Sequence, residues 1–118
     1  MPPSPSIAGL LVLSSMLGMA TSAIAAPLDF NREVRPILSD RCFHCHGPDS
    51  AGRKADLRLD NPTDAAAAIK PGNPDASELI ARIFSHDPDE QMPPPELKRP
   101  LSKKQKAVLR QWVEEGAH

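Results

Sequence analysis

Cys42-Phe43-His44-Cys45-His46-Gly47 is the stretch that decides how this chain reads. Two cysteines separated by two residues, with a histidine directly after the second, form the C-x-x-C-H attachment signal of a c-type haem. The spacing follows from the chemistry. Two thiols add across the two vinyl groups of one macrocycle, and two intervening residues let both sulfurs reach the same side. The next residue, His46, is then carried under the iron as its proximal ligand. These are the only two cysteines in 118 residues, and both lie in the motif.

Two other chemistries use closely spaced cysteines. A Cys42–Cys45 disulfide suits an oxidising compartment, but no βαβ pattern surrounds the motif as it does in thioredoxin-like proteins. Zinc fits less well. Cys42, His44, Cys45 and His46 lie too close together to close one tetrahedron, and no second C-x-x-C or H-x-x-x-H pair completes a site.

The N-terminus indicates where a haem would be attached. Ile7 to Ala20 is a short apolar run, below the ~20 residues that a membrane-spanning helix requires. Ala23-Ile24-Ala25 then reads as an A-x-A cleavage site, so residues 1–25 are expected to be a signal peptide and residues 26–118 the mature domain. Met1 to Ser6 carries no Lys or Arg, which departs from the usual pattern and keeps a retained anchor as the competing reading. Export to the periplasm or cell surface agrees with the haem reading, because bacterial c-type haem is attached outside the cytoplasm. No stable membrane span is expected once the signal peptide is removed.

Cleavage after Ala25 leaves 93 residues, with little aromatic content and a net charge of −1 for the whole chain. A chain this short usually needs a staple, and a covalent haem would supply a large apolar plate for helices to pack on. The charge balance gives no ground for a nucleic-acid partner.

The periodicity predicts an all-α domain of about four helices with a long proline-rich loop. The first helix is expected over about Asn31 to Cys45, with Val34, Ile37 and Leu38 as its apolar stripe, and with Pro36 either starting or kinking it. Leu57 and Leu59 alternate like a short extended piece. A brief helix over Asp64 to Ile69, capped by Thr63, should end at Pro71-Gly72. A third, capped by Asn73 or Asp75, places Leu79, Ile80, Ile83 and Phe84 on one face. Residues 85–100 are a loop. The last helix has a Ser102/Gln105 capping box, an apolar stripe of Leu101, Val108, Leu109, Trp112 and Val113, and Gly116 as its stop. Trp112 and Val113 are expected to dock on Val34 and Ile37.

A haem iron in an electron carrier takes two axial ligands. Candidates for the second are Met92, His44, His86 and His118. Met1, Met16 and Met19 leave with the signal peptide, so Met92 is the sole thioether of the mature domain, 46 residues beyond His46. Pro93, Pro94 and Pro95 would stiffen its segment. His86 is the rival. His44 is tethered between the cysteines and points away from the iron, and His118 is terminal. Two charge clusters flank the Met92 segment: Asp87, Asp89 and Glu90 before it, and Lys98, Arg99, Lys103, Lys104 and Lys106 after it. They read as solvated surface, with partner docking as the alternative.

Phe30 with Val34-Arg35-Pro36-Ile37-Leu38, Cys42-x-x-Cys45-His46-Gly47, Leu57-Arg58-Leu59-Asp60, Pro71-Gly72, Ser77-x-Leu79, Met92-Pro93-Pro94 and Trp112-Val113-Glu114-Glu115-Gly116-Ala117 occur in this order. In this the chain resembles the Planctomycete cytochrome C domain family, over roughly Leu28 to Ala117. The resemblance implies a cytochrome c-like fold around one covalent haem c, with Cys42 and Cys45 as thioether donors, His46 as proximal ligand and Met92 as distal ligand of the iron. It implies one-electron transfer to a redox partner protein rather than enzymatic chemistry. A haem enzyme such as a peroxidase needs an open coordination site, which a bound Met92 would close. The family usually places this domain at the N-terminal end of longer exported proteins. A haem-bearing accessory module, present as a fragment of a larger surface protein or enzyme, is therefore the alternative role.

Overall fold

The structure is a computed structural model that describes residues 1–5, 9, 11–15, 18 and 26–118. The Ala23-Ile24-Ala25 motif and much of the Ile7 to Ala20 run lie outside the described residues. Among the described residues the regular structure is entirely helical, and no helix is long and apolar enough to cross a membrane. The four α-helices are α1 (Arg35–Arg41), α2 (Pro62–Ala65), α3 (Glu78–Phe84) and α4 (Lys103–Glu114).

Pro36 shapes the entrance to the domain. It has no N–H to donate, and in a regular α-helix its ring would strike the carbonyl of Arg32. The chain answers with a widened, π-type turn over Phe30–Val34, in which the Arg35 N–H reaches back to the Phe30 carbonyl. Asp29 caps this turn by accepting from the Arg32 N–H, and the Glu33 carboxylate accepts from the Asp29 N–H at 2.7 Å. α1 then stops at Arg41, four residues before the expected end. The N–H groups of Cys42 and Phe43 both donate to the Leu38 carbonyl, at 2.8 and 2.9 Å, and this shared acceptor breaks the helical ladder. The haem motif therefore occupies a turn.

Two further elements differ from the periodicity. Asn61, not Thr63, caps α2, its side chain accepting from the Thr63 N–H at 2.9 Å. The helix expected from Asn73 is divided. Asn73 caps a 3-10 turn over Pro74–Ala76, Ser77 is extended, and only then does α3 begin. The fully buried Ser77 hydroxyl causes the break, accepting from the Lys70 N–H at 2.8 Å and donating to the Asn73 carbonyl at 2.9 Å. Leu57 and Leu59 form no strand, although Leu59 is buried.

α4 matches its sequence signals. Ser102 and Gln105 make both hydrogen bonds of the capping box. At the other end, Gly116 has φ +107°, its N–H donates to the Val113 carbonyl, and the Ala117 N–H donates to the Trp112 carbonyl. This pair of bonds is a Schellman cap, and its left-handed residue is best supplied by glycine. The side-chain charges run the other way. Lys103, Lys104 and Lys106 stand in and beside the first turn, where the backbone already makes a positive pole, and Glu114 closes the negative end. Each reversed charge forgoes ~0.3–1 kcal/mol of stabilisation.

Val34, Leu38, Ile83, Leu109 and Val113 are fully buried at the centre of the core. α4 lies across the widened Phe30–Val34 turn and against α3. Trp112 tilts onto Phe30 with ring centroids 5.7 Å apart, and its Nε1 donates to the His118 carbonyl at 2.9 Å. α4 thus meets the turn that carries Val34 rather than Ile37's helix α1, and the aromatic partner of Trp112 is Phe30. Phe84 departs from its expected core face. It is 43% exposed at the last position of α3, with Lys106 Nζ 5.9 Å above its ring.

Trp112→Ala should therefore cost ~3–5 kcal/mol of unfolding free energy in a denaturant titration. Trp112→Phe should recover most of that loss. A Trp112→Ala midpoint within experimental error of wild type would rule out this packing.

Candidate functional site

The motif residues fold into a closed turn. The His46 N–H donates to the Cys42 carbonyl at 2.8 Å, and the Cys45 N–H donates to the same oxygen at 3.2 Å. Gly47 is required here, because a Cβ at this position would sit 2.2 Å from the Phe43 carbonyl oxygen. Residues 53–59 then fold back over the turn. The Lys54 N–H donates to the Cys45 carbonyl at 2.7 Å, and the Leu59 N–H donates to the His46 carbonyl at 2.8 Å. Arg53 braces the exit, with Nε donating to the Gly47 carbonyl and Nη2 to the Pro48 carbonyl.

The same loop fixes the His46 ring. Nδ1 lies 3.2 Å from the Lys54 carbonyl oxygen, which can only accept, so Nδ1 carries the proton. The Nε2 lone pair is then free. A backbone carbonyl that holds Nδ1–H and leaves Nε2 for a metal is the usual support for a ligating histidine. The residues present therefore suit a haem iron on their own hydrogen bonding.

Cys42 and Cys45 are both free thiols. Cys42 is buried in the core cluster, whereas Cys45 is partly exposed. Burial pushes the Cys42 thiol up from an ordinary value of 9.0 to about 11; the Arg41 charge pulls the other way, and Cys45 adds a small further rise. Arg41 is itself paired with Asp40.

The second-ligand candidates separate by burial. The Met92 N–H donates to the Arg82 carbonyl at 3.2 Å, which ties the loop to α3. Its side chain is partly buried and packs on the cluster that contains Cys42. His44, His86 and His118 are exposed. The structure thus brings Cys42 and Met92 to one core and leaves His86 in solvent. It does not place Cys42, Cys45, His46 and Met92 around a common cavity. The larger cavity, about 490 Å³, is lined instead by Phe30, Phe43, Leu59, Ile69 and Trp112 among others.

Sequence reasoning missed the loop that holds the motif. The Lys54 carbonyl is a main-chain group and has no residue signature. Leu59, read with Leu57 as a short extended piece against the core, is indeed buried, and its N–H bond to the His46 carbonyl brings this loop back. Next to it, Arg58 and Asp60 form a fork at 3.1 and 2.7 Å, which holds the Asp60 carboxyl below the usual carboxylate range.

The burial of Cys42 has a measurable consequence. In the folded, haem-free chain at pH 8, iodoacetamide should modify Cys45 well before Cys42, because only the thiolate reacts. The two rates should converge in denaturant. The Cys42 thiol is raised in the folded state, so its contribution to stability is complete below pH 9 and is lost as the pH rises toward 11. Equal labelling of both cysteines in the folded chain would contradict the buried placement.

The family model for Planctomycete cytochrome C matches residues 42–96, from the first cysteine of the motif through the Met92 loop. No curated protein and no solved structure matches the chain. Over those residues the chain is similar to the Planctomycete cytochrome C family, a cytochrome c family, which suggests a haem-binding, electron-transferring role.

Proposed function

We propose that this protein is an exported monohaem c-type cytochrome that carries single electrons to and from a redox partner protein. Cys42 and Cys45 hold one haem c through thioethers, His46 Nε2 is the proximal ligand of its iron, and Met92 Sδ is the distal ligand. The observation that carries this reading is the bond from His46 Nδ1–H to the Lys54 carbonyl, which leaves the opposite nitrogen unprotonated directly after the second cysteine. The haem, when bound, supplies the one-electron Fe(III)/Fe(II) couple.

The chain's own residues do the rest. The Cys45–Lys54 and His46–Leu59 backbone bonds hold the imidazole at a fixed orientation, so little has to rearrange when charge changes nearby. The packed core around Cys42 excludes water from one side of the motif. Met92 is supported by its bond to the Arg82 carbonyl and by the buried Pro93 that follows it. A thioether ligand raises the potential relative to a second histidine and closes the sixth position, which favours electron transfer over peroxidase-type chemistry. Export rests on the apolar N-terminal run with its A-x-A site, which would be removed to leave residues 26–118.

Ligation is tested on the haem-loaded protein. Oxidised wild type should show the weak near-infrared sulfur-to-iron band. Met92→Ala should abolish that band and lower the reduction potential, while His86→Ala should leave both unchanged. A band and potential that survive in Met92→Ala but change in His86→Ala would overturn the Met92 assignment.

A further inference from the structure

Three of the chain's four aromatic side chains face one cavity. Phe30, Phe43 and Trp112 line a space of about 490 Å³, and only Phe84, exposed at the end of α3, lies outside it. The rings come from three separate segments: the widened turn, the haem motif and α4. Leu59, Ala65 and Ile69 complete the apolar wall, and all three are buried. The volume falls within the range of about 300–1,000 Å³ that small-molecule sites occupy.

Cys42, Cys45, His46 and Met92 stay off its walls. A macrocycle joined through both sulfurs would need both thiols beside it, so this cavity is not the seat of the haem. Of the motif only Phe43 reaches it. The cavity therefore lies against the motif without opening onto the thiols.

One cation at the cavity is unengaged. Arg35, the first residue of α1, lines it and is exposed. Among the described residues Arg35 has no acidic side chain in ion-pair range. Asp60, on the same wall, does not neutralise it. Both Asp60 oxygens accept from Arg58, at 3.1 and 2.7 Å. The His118 carbonyl, also at this cavity, is taken by the Trp112 Nε1–H.

We infer that this cavity binds a small aromatic monocarboxylate, its ring among Phe30, Phe43 and Trp112 and its carboxylate on Arg35. Aromatic walls favour a flat ring, in offset or edge-to-face contact, over a flexible chain. A guanidinium offers two parallel N–H donors to one carboxylate, which selects an acid over an amide of the same shape. With one free cation present and Asp60 close by, a second negative charge on the ligand would find no partner.

The test follows one resonance. Trp112 is the only tryptophan, so its indole N–H gives a single signal from the cavity wall. In the reduced, haem-loaded protein, naphthoate should shift that signal saturably, and naphthamide and decanoate should each bind about fivefold more weakly. Arg35→Gln should weaken naphthoate about fivefold and leave naphthamide unchanged. Because Arg35 is exposed, this variant keeps the fold. Ala65→Leu should fill the cavity and abolish binding of both aromatic probes; should it fail to fold, Arg35→Gln decides.

No shift in wild type, tighter binding of decanoate or naphthamide, or wild-type affinity in Arg35→Gln would overturn the inference. Binding to the haem-free chain that disappears on haem loading would assign the cavity to the haem and overturn it as well. The indole signal exists with or without haem, so failure here is distinguishable from failure of the cytochrome reading.

Discussion

The haem motif depends on a clasp of three hydrogen bonds made by one loop. Lys54 donates to the Cys45 carbonyl, Lys54 accepts from His46 Nδ1, and Leu59 donates to the His46 carbonyl. α1 has already ended, so the motif residues have no helical ladder to hold them. Without the clasp, the backbone groups of Cys45 and His46 would face solvent and the imidazole could adopt either tautomer. The burial of Leu59 brings the loop back, and Gly47 admits the tight turn. A packing constraint and a backbone constraint together set one side-chain nitrogen.

The core underneath is organised by the unusual start of the domain. Pro36 forces the widened turn at Phe30–Val34, and that turn, rather than α1, receives α4. Phe30 and Trp112 then pack on each other, and Val34 is sealed completely. The same core takes up Cys42 from α1's end and Met92 from the loop beyond α3. Residues fifty positions apart in the sequence are in this way attached to one body.

Legibility in the sequence followed the reach of each signal. α4 could be read almost to the residue, since Ser102 and Gln105 satisfy each other locally and Gly116 is the residue a left-handed cap needs. α1 could not, because the double use of the Leu38 carbonyl is a choice made by the folded turn. The division at Ser77 is of the same kind: a serine looks like an ordinary cap until its hydroxyl is buried against Lys70 and Asn73. Phe84 has helical spacing with Ile80, yet it is the last residue of α3 and emerges under Lys106. At the site, the C-x-x-C-H spacing of Cys42, Cys45 and His46 was legible as a motif, and the structure shows the turn in which it lies. The Lys54 carbonyl was not, since every residue carries one. Met92 stood out as the sole thioether of residues 26–118, and in the structure its side chain packs on the cluster that contains Cys42.

The central claim is that both cysteines carry one haem covalently, with His46 beneath it. Intact-mass measurement tests it most directly, on protein exported from a host that contains the haem-attachment machinery. Wild type should appear as the mature chain plus the mass of one haem, stable to denaturant and reductant. Replacing both Cys42 and Cys45 with alanine should remove that added mass. A wild-type chain recovered at its bare mass, with both thiols free, would contradict the account.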